Sequence, residues 1–148
     1  MNIFDALRRS HDKQRGLSEQ LVNAGGDSTQ RQALFDQLKT ELMAHAAAEE
    51  RCFYVPLIAH DLTQEPSRHG IAEHHDIDKL IEKAEEAGPG SSAWPEAVKA
   101  LQHKVLHHLE EEEEKIFPLA RQVLSEQESA ALGADYGGEF AEQREKVD

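Results

Sequence analysis

The sequence predicts an all-α protein, an antiparallel up-down four-helix bundle followed by a short C-terminal helix. Three observations lead there. Four long stretches carry apolar residues at the helical repeat, and each runs into Gly or Pro breakers. No run alternates with a two-residue period between turn signals, as a strand would. Histidine and glutamate also recur inside the apolar rows at spacings that a helix turns to one side.

The first helix is expected from about Ile3 to Val22, where Phe4, Leu7, His11, Leu17 and Leu21 follow the repeat and Asn23-Ala-Gly-Gly26 ends it. The second begins near Thr29, with Thr29 and Gln32 spaced as a capping box. It continues through Leu34, Phe35, Leu38, Leu42, His45, Glu49, Cys52 and Phe53, until Pro56 kinks or ends it before Asp61. The third opens after Pro66 and stops before Gly88-Pro-Gly90, with Ile71, His74, Ile77 and Ile81 inward. The fourth follows Pro95 to about Leu124, bent near Pro118, on the row Val98, Leu101, Val105, Leu109, Ile116, Leu119 and Val123. Ser125 and Glu128 cap a short fifth helix that Gly133 should stop. Residues 1–132 are therefore read as the bundle and 133–148 as a polar tail.

Composition narrows the class. Sixteen Lys and Arg stand against 29 Asp and Glu, a formal net charge of −13. That balance opposes binding to nucleic acid or to an anionic membrane. No segment has the apolar length of a membrane span, and the N-terminus carries no signal-peptide pattern. One cysteine, Cys52, excludes an internal disulfide and fits a reducing compartment. A cytoplasmic location is expected.

The nine histidines are spread along the chain rather than gathered as a tag. Facing decides which matter. In the third helix His74 lies roughly 40° from the apolar direction and His75 about 140° away. In the fourth, His108 lies about 60° and Glu112 about 20° from it, whereas His107 points roughly 160° away. His103 also faces out. In the second, His45 and Glu49 both fall within about 50° of the apolar centre. Most of the acidic run Glu110 to Glu114 is a solvated face.

Six inward groups remain: His11, His45, Glu49, His74, His108 and Glu112. Burying them without a partner is unfavourable, and a metal centre removes the penalty. A mixed imidazole and carboxylate set suits iron, manganese or zinc rather than calcium, magnesium or a thiolate-type zinc site. Two glutamates on opposite helices can each bridge a pair of ions.

These residues resemble the hemerythrin-like, or HHE cation-binding, domains over nearly the whole chain, from Leu7 to about Leu132. Leu7-Arg-Arg-Ser-His11 looks like the family's first-helix histidine, and His45-Ala-Ala-Ala-Glu49-Glu50-Arg like its second-helix motif. Glu73-His74-His75-Asp-Ile77-Asp-Lys-Leu80-Ile81 is similar to the third. His108-Leu-Glu-Glu-Glu112-Glu113-Glu-Lys-Ile-Phe117-Pro118 closely matches the fourth.

The resemblance implies a non-haem di-iron centre with His11, His45, His74 and His108 as terminal ligands and Glu49 and Glu112 as bridges. It implies a small partner, O₂, NO or hydrogen peroxide, that is sensed, turned over or carried; enzyme, sensor and carrier or iron buffer all stay open. Oxygen-carrying members have a second histidine on the third helix. Here the turns flanking His74 offer Gly70 and Asp78, so that position falls either to Asp78 or to water. One iron is expected to be under-ligated by imidazole and accessible, and oxidation to outrun stable carriage.

Overall fold

The computed structural model describes residues 1–147, and every regular element among them is helical. α1 (Ile3–Asn23) starts at Asn2, whose side chain accepts the Asp5 backbone N–H at 2.9 Å. α2 (Ser28–Glu49) starts one residue before Thr29. Its cap is Asp27, which accepts the Gln30 N–H at 2.9 Å and satisfies one of the orphan donors of a first turn. A π-helical turn (Glu50–Tyr54) joins α2 to α3 (Val55–Ile58), so Pro56 does not end the run. Then come α4 (Asp61–Ala87), α5 (Trp94–Glu111), a second π-helical turn (Glu112–Ile116), α6 (Phe117–Val123) and α7 (Glu126–Val147).

Two boundaries differ from expectation. α4 begins at Asp61, upstream of Pro66 rather than after it. Buried hydroxyls anchor this stretch: Thr63 Oγ1 donates to the Leu57 carbonyl and Ser67 Oγ to the Thr63 carbonyl, each at 2.6 Å. Side chains thereby support the turn where proline removes a backbone donor.

The second difference is larger. The Ser125–Glu128 capping box forms, with reciprocal bonds of 2.9 and 3.0 Å. The helix it opens nevertheless passes Gly133 and runs to Val147 in place of the polar tail expected over 133–148; Asp148 lies outside the described residues. Gly133 is a packing residue and not a stop. A Cβ there would collide with the Met1 carbonyl and the Asn2 backbone, so glycine lets α7 cross the start of α1 closely. Tyr136 is buried and Phe140 packs beside the same apolar cluster, which offsets the roughly 1 kcal/mol that each of Gly137 and Gly138 costs a helix.

α1 lies beside α2 and α5, α4 lies beside α5, and α3 folds onto α4. α7 packs across α1 and α2. The interior holds two apolar clusters. One includes Leu17, Leu42, Ile77, Val105 and Leu109; Phe35 meets the Trp94 ring in it at 5.4 Å. The other includes Leu7, Ala48, Phe53, Ile116 and Phe117, and takes in Cys52. Between them in chain order, on each of four helices, sits a buried polar layer: His11 after Leu7, His45 and Glu49 around Ala48, His74 before Ile77, His108 and Glu112 around Leu109. No helix among the described residues is long and apolar enough to cross a membrane.

Candidate metal centre

Those six polar residues are all 5% exposed or less, and their side chains converge. They form two overlapping groups in which one ligand atom per residue lies within 4.8 Å of the others: His11, His45, Glu49 and Glu112, and Glu49, His74 and His108. Glu49 belongs to both. Its Oε1 lies 3.3 Å from His45 Nε2 and 3.0 Å from His74 Nε2. Glu112 also spans the pair, with Oε1 3.1 Å from His11 Nε2 and Oε2 3.7 Å from His108 Nε2. The imidazoles pair accordingly, His11 with His45 at 5.2 Å between centroids and His74 with His108 at 5.0 Å. His75, His103 and His107 are exposed, as their helical phase requires.

Each carboxylate stands at the entrance of a π-helical turn. The Val55 N–H reaches back to the Glu50 carbonyl and the Phe117 N–H to the Glu112 carbonyl, each spanning five residues. Pro56 and Pro118 follow directly and have no N–H to offer an α-helical ladder. Such one-turn π segments recur at functional sites because the wider turn re-aims neighbouring side chains.

The decisive feature is what these atoms lack. His11 Nε2, His45 Nε2, His74 Nε2, His108 Nε2, both oxygens of Glu49 and Glu112 Oε1 are buried side-chain atoms without a hydrogen-bond partner. Their mutual separations are ion-pair distances, but none has hydrogen-bond geometry. Buried polar atoms are almost always satisfied, and leaving one unpaired costs about 1–3 kcal/mol. Seven together, all on the six inward residues and all facing one another, have the chemistry of a donor set for cations.

The outer nitrogens of three of the imidazoles are satisfied, and this fixes which nitrogen of each faces inward. His11 Nδ1 pairs with Glu113 at 2.7 Å and His74 Nδ1 with Glu50 at 3.0 Å. Glu113 is held in turn by Arg15 at 2.8 Å. His45 Nδ1 meets the Tyr136 hydroxyl on α7 at 2.8 Å. Such outer partners orient metal-binding histidines, and their loss typically weakens metal binding by about 10–100-fold. Tyr136→Phe is therefore expected to lower cation affinity roughly tenfold, with the helical circular-dichroism spectrum unchanged; equal affinity in a competition titration would remove Tyr136 from the centre.

With only protons to balance it, the cluster splits its charge unevenly. Burial pushes His11 down, but Glu112 and Glu113 outweigh it and carry the imidazole up to about 9. Burial opposes His74 in the same way, and Glu49 and Glu50 raise it to about 10. His108 goes the other way, down to about 3, through burial and the neighbouring His74 charge. Burial and Glu49 lift Glu112 to about 8. Glu49 itself stays well below the usual carboxylate range, since His45, Glu112 and His74 close around it together overcome its burial. Protons thus stand where positive charge is needed.

The hemerythrin HHE cation binding domain pattern matches residues 2–120. The chain belongs to this family. The crystal structure of a hemerythrin HHE cation binding domain-containing protein from Mycobacterium kansasii superposes with a TM-score of 0.89, at 22% identity, over 99% of this chain and 89% of that one. A DNA nickase of Nostoc sp. is 26% identical over 136 residues, which is 92% of this chain and 38% of that protein. A 59-residue stretch, 40% of this chain, is 36% identical to an uncharacterized protein of Mycobacterium tuberculosis and covers 37% of it. The chain thus spans less than two fifths of these curated relatives. An HHE domain binds cations, and the buried histidine and glutamate cluster fits that role.

Within the HHE bundle, the surroundings of His74 differ from the expected opening. The space beside Gly70 is filled by the Tyr54 ring, which a Cβ at residue 70 would overlap. The Tyr54 hydroxyl donates to Glu112 Oε2, and its ring lies 5.7 Å from that of His74. Burial and Glu112 raise the phenol well above its ordinary range, so it keeps its proton. Sequence reasoning found no role for Tyr54, because its partner glycine lies sixteen residues away on another helix. Asp78 is an exposed residue outside both donor groups. It borders a cavity of about 10 Å³ that His45, His74 and His108 also line, room for at most one water-sized molecule.

Proposed function

We propose that this HHE protein is a non-haem di-iron protein that reacts with or senses O₂, peroxide or NO. His11, His45, His74, His108, Glu49 and Glu112 would hold the iron, with Glu49 common to both donor groups. The observation that carries this reading is the set of seven buried, unpartnered donor atoms. Each half has two imidazoles plus shared carboxylate, a set that suits ferrous iron with positions left for a small molecule. Bound iron would supply the electrons for reaction with a small oxidant or gas.

The protein's own part is selection and proton handling. The narrow cavity at His74 and Asp78, with room for about one water-sized molecule, favours the smallest ligands. Tyr54 holds a proton at Glu112 Oε2, next to the second donor group. The cytoplasm is the proposed location. A nucleic-acid activity is not carried over from the nickase, because a net charge of −13 opposes a phosphate backbone.

Stopped-flow absorbance of the reduced, iron-loaded protein mixed with O₂, NO or peroxide tests the reading. Rapid oxidation or consumption of one of them is expected. Full release of bound O₂ under vacuum, with the reduced spectrum restored, would overturn it and assign carriage.

A pH signature follows from the same residues. Near pH 7 His11, His74 and Glu112 all hold protons before a cation arrives. Metal ligands must give theirs up, so binding should release up to about three protons. Affinity should level off above about 10 and fall as pH drops below it, most steeply below about 8, where all three groups are protonated. Calorimetry in buffers of different ionisation enthalpy counts the protons; no release would contradict the ligand assignment.

A further inference from the structure

The His-x-x-x-Glu spacing of the core occurs twice more, on the seam where α4 and α5 pack. His69 precedes Glu73 on α4, and His107 precedes Glu111 on α5. Each is the chain neighbour of a position at the centre: Gly70, His74, His108 and Glu112. One residue turns a helix by about 100°, so a second row of the same residue types emerges beside the buried one. We propose that this row is a second, outer site for a borderline divalent cation, distinct from the di-iron centre.

The geometry joins both helices. His69 Nε2 lies 2.5 Å from Glu111 Oε1 and 3.5 Å from Glu73 Oε1, and the three ligand atoms fall within 4.8 Å of one another. His107 Nδ1 stands 3.9 Å from the other Glu111 oxygen. Glu73 is the fixed point. Its side chain is only 6% exposed, and Lys104 takes Oε2 while Oε1 faces His69. Lys104 is shared with Asp76 at 3.7 Å, which leaves the seam net acidic. Glu110 and Glu114 lie on the adjoining surface with Lys115, so this surface too is net acidic.

One or two imidazoles with two carboxylates select zinc, manganese or ferrous iron over calcium and magnesium, which take oxygen ligands. His69 is 52% and His107 59% exposed. The outer site is therefore open to water and exchanges its ion readily, unlike the sealed centre. A direct His69–Glu111 contact with no metal between the two side chains is the competing description of the same geometry, and it takes up no cation.

Zinc titration of the iron-loaded full chain, with total metal measured after equilibrium dialysis, separates the two. One zinc beyond the core complement is expected. His69→Ala and Glu111→Gln should each weaken it roughly tenfold or more while leaving core iron in place, and His103→Ala should change nothing. The same titration on Glu49→Gln, which impairs the centre, should retain the outer equivalent. If the centre itself held no metal, the wild-type against His69→Ala difference would still report the outer site. No extra zinc, or extra zinc kept in both seam variants, would overturn the proposal.

Discussion

Glu49→Gln should strip metal from both halves of the centre. Glu49 is the residue common to the two donor groups, with Oε1 facing His45 on one side and His74 on the other. Glutamine keeps the shape and hydrogen-bonding capacity but removes the charge that two cations need. An outer-shell partner is worth about 10–100-fold in affinity, so a shared inner carboxylate should be worth a hundredfold or more. His108→Ala removes a donor from the second group alone and should spare the first. Metal analysis after iron-replete expression distinguishes them. Glu49→Gln with wild-type metal content would show that Glu49 is not shared.

The second large effect is on stability. Chelation should lower the melting temperature by about 8–16 °C. A ligand at a thousand times its dissociation constant stabilises the fold by roughly 4 kcal/mol, and a domain of this size shifts by about 2–4 °C per kcal/mol. The cause is local: chelation returns seven buried atoms to an unpartnered state in the layer that joins the two apolar clusters. Differential scanning calorimetry with and without chelator reads the shift directly. An unchanged transition in protein shown to hold metal would mean that protons balance the cluster as well as cations do.

Residue spacing made most of this legible. Helical phase alone separates His74 from His75 and His108 from His107, because burial depends on angle and angle depends on position. The same logic failed where structure depends on distant contacts. Gly133 has the local signature of a helix stop, yet its role is set by the start of α1, more than a hundred residues away. The polar composition of the last helix concealed Tyr136, which reaches His45 across 91 positions in sequence. Tyr54 likewise fills a space that exists only because residue 70 has no side chain. Periodicity identifies which groups face inward; it carries no information on which two will touch.

Native mass spectrometry of the wild-type chain, loaded with ferrous iron without oxygen, tests the di-iron centre most directly. Two iron ions per folded chain are expected, and their loss in Glu49→Gln. A folded wild-type chain at the mass of the bare polypeptide, under the same loading, would contradict it.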